Sequence, residues 1–79
     1  MATRSFILIE TAVGKTRDVV TALRQVKGMK SVEAVTGPYD VVAVLEAPDL
    51  NGVGETVTQK VHTVPGIVRT ITCLVVPIP

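Results

Sequence analysis

A single cysteine, Cys73, cannot close an intramolecular disulfide, because a bridge needs two thiols. A reducing, cytoplasmic compartment fits that composition. The chain also has a single histidine, His62, so it offers no paired soft ligands at a zinc-binding spacing. Neither a metal nor a cofactor is expected. Tryptophan is absent and the only aromatics are Phe6 and Tyr39, too few for a base-stacking platform. The formal net charge of +1 gives none of the basic excess that phosphate neutralisation needs, so direct nucleic-acid binding is not expected. The apolar runs reach about four to five residues, against the roughly 20 that span a bilayer and the 7–15 of a signal peptide, so no membrane partner is expected either.

What the chain has in excess is apolar surface. Hydrophobic residues make up 47% of its 79 positions, and the mean hydropathy is +0.46. One domain spanning residues 1–79 fits this length, and a domain so short is marginal alone without disulfides, metal or a partner subunit. With the first two excluded, self-association remains.

The pattern along the chain alternates strands and helices. Ser5 to Glu10 carries the short apolar run Phe6-Ile7-Leu8-Ile9, too brief for a helix. From Lys15 to Val26, Val19, Val20, Leu23 and Val26 recur at helical spacing, and Lys27-Gly28 is a fitting stop. Val32 to Thr36 alternates as a second strand, closed by Gly37-Pro38. Val41 to Leu45 is uninterrupted and reads as a central strand covered on both faces. Asp49 is placed to cap a second helix with Leu50, Val53, Val57, Val61 and Val64 along one stripe, frayed at its start by Gly52 and Gly54 and stopped by Pro65-Gly66. Ile67 to Val76 is the last strand.

The order β-α-β-β-α-β predicts a ferredoxin-like α+β fold, a four-stranded antiparallel sheet with two helices on one face. The helix-to-strand turns, Val26-Lys27-Gly28 and Val64-Pro65-Gly66, echo one another as though the halves were pseudo-symmetric. Phe6/Leu8 and Ile7/Ile9 are apolar on both parities, as are Val42/Val44 and Val41/Ala43/Leu45. The face without helices therefore needs a cover, and the sheet of a second subunit is the economical one, giving a homodimer.

Chemistry-bearing residues are few. Gly37-Pro38-Tyr39-Asp40 places a hydroxyl and a carboxylate at a strand edge after a residue that permits unusual backbone angles, and can be either a plain turn or a cradle for a small polar ligand. Thr70 and Thr72 share one face of the last strand and read either as β-branched strand formers or as a ligand-facing hydroxyl pair. No phosphate loop, nucleophile elbow or H-E-x-x-H motif is present, and no catalytic residue stands out.

The run Val32-Glu33-Ala34-Val35-Thr36-Gly37-Pro38-Tyr39-Asp40-Val41-Val42, followed by Val64-Pro65-Gly66-Ile67-Val68-Arg69-Thr70-Ile71-Thr72, resembles the effector (RAM) domain of leucine-responsive/asparagine-operon regulators. Ile67-Val68 after Pro65-Gly66, and Pro38 inside the first motif, are small departures. The resemblance implies a dimeric α+β barrel that assembles further into tetramers or octamers. It also implies amino-acid effectors bound between dimers near Gly37, Tyr39 and Asp40, with Thr70 and Thr72 nearby. Full-length regulators of the family, which carry a helix-turn-helix, are implied as partners. Since this chain opens on its first strand, the expectation is a stand-alone domain that modulates transcription without binding DNA. A small cofactor-free monooxygenase or isomerase on the same fold is the competing reading, and a ligand-free adapter is the third.

Overall fold

The computed structural model describes residues 2–79. Strand β1 (Thr3–Thr11) leads through helix α1 (Thr16–Leu23) to β2 (Met29–Ala34), which returns as β3 (Val41–Ala47). Helix α2 (Leu50–Thr56), extended by a π-helical segment (Val57–Val61), then leads to β4 (Ile67–Leu74). The sheet order is β2-β3-β1-β4 with every neighbouring pair antiparallel. The two crossovers interleave, and the ferredoxin-like expectation holds.

Alternation along the central strands divides the sheet into two faces. Ser5, Ile7 and Ile9 of β1 and Val41, Ala43, Leu45 and Ala47 of β3 are buried under the helices. Val19, Val20 and Leu23 of α1 and Val53, Val57 and Val61 of the second helical arm meet them there. On the opposite face the register sets Phe6 beside Val44 and Cys73, and Leu8 beside Val42 and Ile71. That apolar patch has no helix over it, and Phe6 and Ile71 keep 38% and 37% of their surface exposed. Two ion pairs flank it on the same face, Arg4 Nε to Glu46 Oε2 at 3.7 Å and Arg69 Nε to Glu10 Oε2 at 3.3 Å. Strand β3 is thus covered on one face only in a single chain, where the sequence suggested both.

The element boundaries differ from the sequence reading for local reasons. Helix α1 ends at Leu23, because Gln25 and Val26 donate to the carbonyls of Ala22 and Leu23 in tighter three-residue turns. That tightening turns Val26 onto the core. Strand β2 starts at Met29 and stops at Ala34, its span set by pairing with Leu45 through Val41. Strand β4 stops at Leu74, although the Val75 N–H still donates to the Arg4 carbonyl.

The start of α2 is regular despite its glycines, since the Asp49 side chain accepts from the Gly52 N–H at 2.7 Å. The irregularity lies at the other end. Val53, Val57 and Val61 recur every four residues, and in a helix of 3.6 residues per turn each such step rotates about 40° off the stripe. The wider π turn, closed by His62 N–H donating to the Val57 carbonyl at 2.8 Å, restores Val61 to the core.

The two helix-to-strand turns match in detail. Gly28 and Gly66 have φ of +95° and +98°. The Gly28 carbonyl accepts from Glu46 at the end of β3, and the Gly66 carbonyl accepts from Ala12 just past β1, at 2.9 and 2.8 Å. The same backbone device locks each half to the central strand of the other half.

Ser5 is the single buried polar side chain, and its Oγ has no hydrogen-bond partner among the described residues. An unpaired hydroxyl in an apolar layer costs its desolvation without return. Ser5→Ala should therefore be neutral or raise stability by up to about 1 kcal/mol, as read by urea denaturation. A clear loss would mean the hydroxyl is satisfied in the folded protein.

Candidate functional site

The loop Gly37 to Asp40 lies at the end of the sheet where β3 begins, and its position is fixed by Asp40. The Asp40 N–H donates to the Ile9 carbonyl at 2.9 Å, and its carbonyl accepts from Val35 at 2.9 Å. Its carboxylate Oδ2 accepts from the Thr11 N–H at 2.9 Å. One residue thus ties β1, β2 and β3 together. Thr11 Oγ1 continues the network to Thr16 Oγ1, 2.7 Å away at the start of α1. The second carboxylate oxygen, Oδ1, has no partner among the described residues. Gly37 has φ +134° in open space, so the glycine is required by conformation and not by crowding.

Tyr39 is half-buried and its hydroxyl accepts from Arg69 Nη2 at a long 3.4 Å. Arg69 in turn pairs with Glu10, so Tyr39 joins a small charged cluster on the helix-free side of the sheet. Thr70 lies on the other side. Its Oγ1 is 3.0 Å from His62 Nε2 at the end of the second helical arm. Thr72 shares that side, opposite Ile7, and is exposed. Within one chain, then, the five residues singled out from the sequence gather at the end and edge of the sheet but not in one pocket. The sheet itself separates Tyr39 from Thr70 and Thr72.

Sequence reasoning missed three members of this region. Glu10, Thr11 and Arg69 carry no motif of their own, and the antiparallel register alone brings Glu10 opposite Arg69. The contact between His62 and Thr70 was legible only in part, as a histidine and a threonine eight residues apart across a Pro-Gly turn. The space between sheet and helices, where an enzyme of this fold would keep its reacting groups, is filled by the apolar core and Ser5.

Residues 4–78 match the family model described as the Lrp/AsnC ligand binding domain. The chain belongs to that family. No curated protein matches it. Among solved structures it is similar to FFRP-DM1, at 31% identity and a TM-score of 0.89, over 94% of this chain and 99% of that one. Escherichia coli AsnC shares the fold with a TM-score of 0.90 at 18% identity, over 98% of this chain and 52% of AsnC. The transcriptional regulator NMB0573 of Neisseria meningitidis, solved as a complex with L-Met, superposes with a TM-score of 0.85 at 18% identity, over 95% of this chain and 50% of its own length. This Lrp/AsnC domain thus spans about half the length of those two regulators. Its family places it among the ligand-binding effector domains of transcription regulators. No helix among the described residues is long and apolar enough to cross a membrane.

Proposed function

We propose that this chain is an amino-acid-sensing assembly domain that acts in the regulation of amino acid metabolism through its contacts with copies of itself and with full-length relatives, and not by touching DNA. The observation that carries the reading is the site at Asp40. A zwitterion needs an acceptor for its ammonium and neutral donors for its carboxylate. Asp40 is held rigidly by its backbone and by Thr11, and its free oxygen Oδ1 is the acceptor. The exposed backbone around Gly37 supplies donors, and Tyr39 an apolar wall.

Since Tyr39 and the two threonines lie on opposite sides of one sheet, a complete pocket needs a second chain. Its assembly starts from the helix-free face. The patch of Phe6, Leu8, Val42, Val44 and Ile71, rimmed by the pairs at Arg4 and Arg69, has the apolar centre and polar border of a subunit interface. We assign it to the same face of a partner subunit, giving a dimer from which larger assemblies grow. L-Met in NMB0573 supports a free amino acid as the effector class.

Asp40→Asn tests the site more cleanly than truncation, because the amide oxygen can keep the Thr11 bond while the charge is lost. Calorimetry should show binding at least about 10-fold weaker, since a charge-assisted hydrogen bond is worth roughly 1.5–3 kcal/mol. The assembly should survive unchanged. Equal affinity in both proteins would remove Asp40 from the site, and no heat with any of the amino acids would favour a ligand-free adapter.

A further inference from the structure

The two edges of the sheet are finished differently. Backbone groups of an antiparallel strand point alternately toward and away from the neighbouring strand. On β2, Val35 bonds inward to Asp40, so Val32, three residues earlier, turns its carbonyl outward at the free edge. That carbonyl is not left open. Arg24, which caps the C-terminus of α1, donates to it through both Nε at 3.2 Å and Nη2 at 2.9 Å, while Nη2 also pairs with Glu33 Oε1 at 3.3 Å. A guanidinium held across an edge carbonyl blocks the approach of another strand.

Strand β4 forms the other edge. Val75 N–H bonds inward to Arg4, so by alternation Leu74, Thr72 and Thr70 turn both N–H and C=O outward. Among the described residues nothing covers these three amides or carbonyls. The segment is bounded by a bulge at Val68, the extra residue between the pairs Glu10–Arg69 and Thr11–Ile67, and by Pro77, which cannot donate. No charged residue follows Arg69. An open, neutral edge is a template for strand addition.

We propose that the β4 edge pairs antiparallel with the β4 edge of a second copy of this chain, about a two-fold axis at Thr72. That centre sets outward Thr70 against outward Leu74 of the partner subunit, and Thr72 against its own counterpart. It places Arg69 opposite an uncharged valine, so no like charges meet. Centring at Cys73 also keeps the outward groups in register, but it sets Thr70 against Val76, which lies beyond the end of β4 and beside Pro77. The joined sheets form one continuous eight-stranded surface. Edge pairing leaves the helix-free face untouched, so it is independent of the face-to-face dimer, and it shares only Thr70 and Thr72 with the amino-acid reading.

Thr72→Pro removes one outward N–H and no bond to β1, so the fold of the single chain should tolerate it. At matched concentration, light scattering should show the assembly mass halved, with the circular dichroism spectrum of the wild type retained. Combined with Leu8→Glu on the helix-free face, it should leave a monomer. In the wild type, the amides of Thr70, Thr72 and Leu74 should be protected from hydrogen exchange, although none has a partner within its own chain. This last readout needs no variant to fold. An unchanged mass for folded Thr72→Pro, or rapid exchange of the three amides in the wild-type assembly, would overturn the edge pairing.

Discussion

Leu8→Glu should split the sheet-to-sheet pair and halve the mass of the assembly at micromolar concentration. Leu8 sits at the centre of the helix-free face, between Val42 on β3 and Ile71 on β4. In the single chain its neighbours are half-exposed, so a carboxylate there can reach water and the fold should survive. Across a subunit interface it cannot. Taking an unpaired charge into an apolar contact costs several kcal/mol, which weakens the association by at least about 100-fold. The flanking pairs, Arg4–Glu46 and Arg69–Glu10, are too exposed to compensate, since such pairs contribute roughly 0–1 kcal/mol each. Sedimentation velocity over a concentration series reads the outcome directly. A variant that is folded and still assembles as the wild type does would place the interface elsewhere.

The largest loss of stability should come from Gly28→Ala. At φ +95° an L-residue pays roughly 1–2 kcal/mol for a left-handed backbone. The added Cβ would also lie 2.7 Å from the Glu46 carbonyl oxygen and 3.2 Å from Leu45 Cδ1. Relief requires moving the turn away from β3, which stretches the bond from Glu46 N–H to the Gly28 carbonyl. Together these terms should cost about 3 kcal/mol or more, a large share of what holds a domain this small. Gly37→Ala is the internal control, because its Cβ meets nothing within 4 Å and only the φ penalty applies. Urea denaturation at one protein concentration should rank Gly28→Ala well below Gly37→Ala. Equal losses would show that crowding at the β3 carbonyl plays no part.

The order of elements and the two faces of the sheet were legible in the sequence because both follow from periodicity. Apolar residues on both parities of β1 and β3 announced a face that helices could not cover, and Gly28 and Gly66 announced matching turns. What periodicity does not encode is register. The meeting of Glu10 with Arg69, the tether from Thr11 to Asp40 and the outward amides of Thr70 and Thr72 each depend on which residue stands opposite which. The π turn at Val57–Val61 was present in the four-residue spacing of its valines, but an α-helical template absorbs that spacing as tolerable drift. Ser5 was invisible for another reason: a serine in an otherwise apolar strand reads as its exposed start, and only the packing of the helices closes over it.

Tyr39 and Asp40 look like two halves of one ligand contact in the sequence, yet the structure gives them different work. Asp40 anchors three strands, and Tyr39 leans toward Arg69 on the helix-free side. A residue that stabilises the loop can still offer its second oxygen to a ligand, which is why the charge-removing change to Asn separates the two roles.

Native mass spectrometry of the wild type, titrated with each of the twenty amino acids, tests the account most directly. It predicts an even-numbered assembly of intact chains that takes up at least one amino acid in proportion to its subunits. A folded monomer at micromolar concentration, or an assembly that binds none of them, would contradict it.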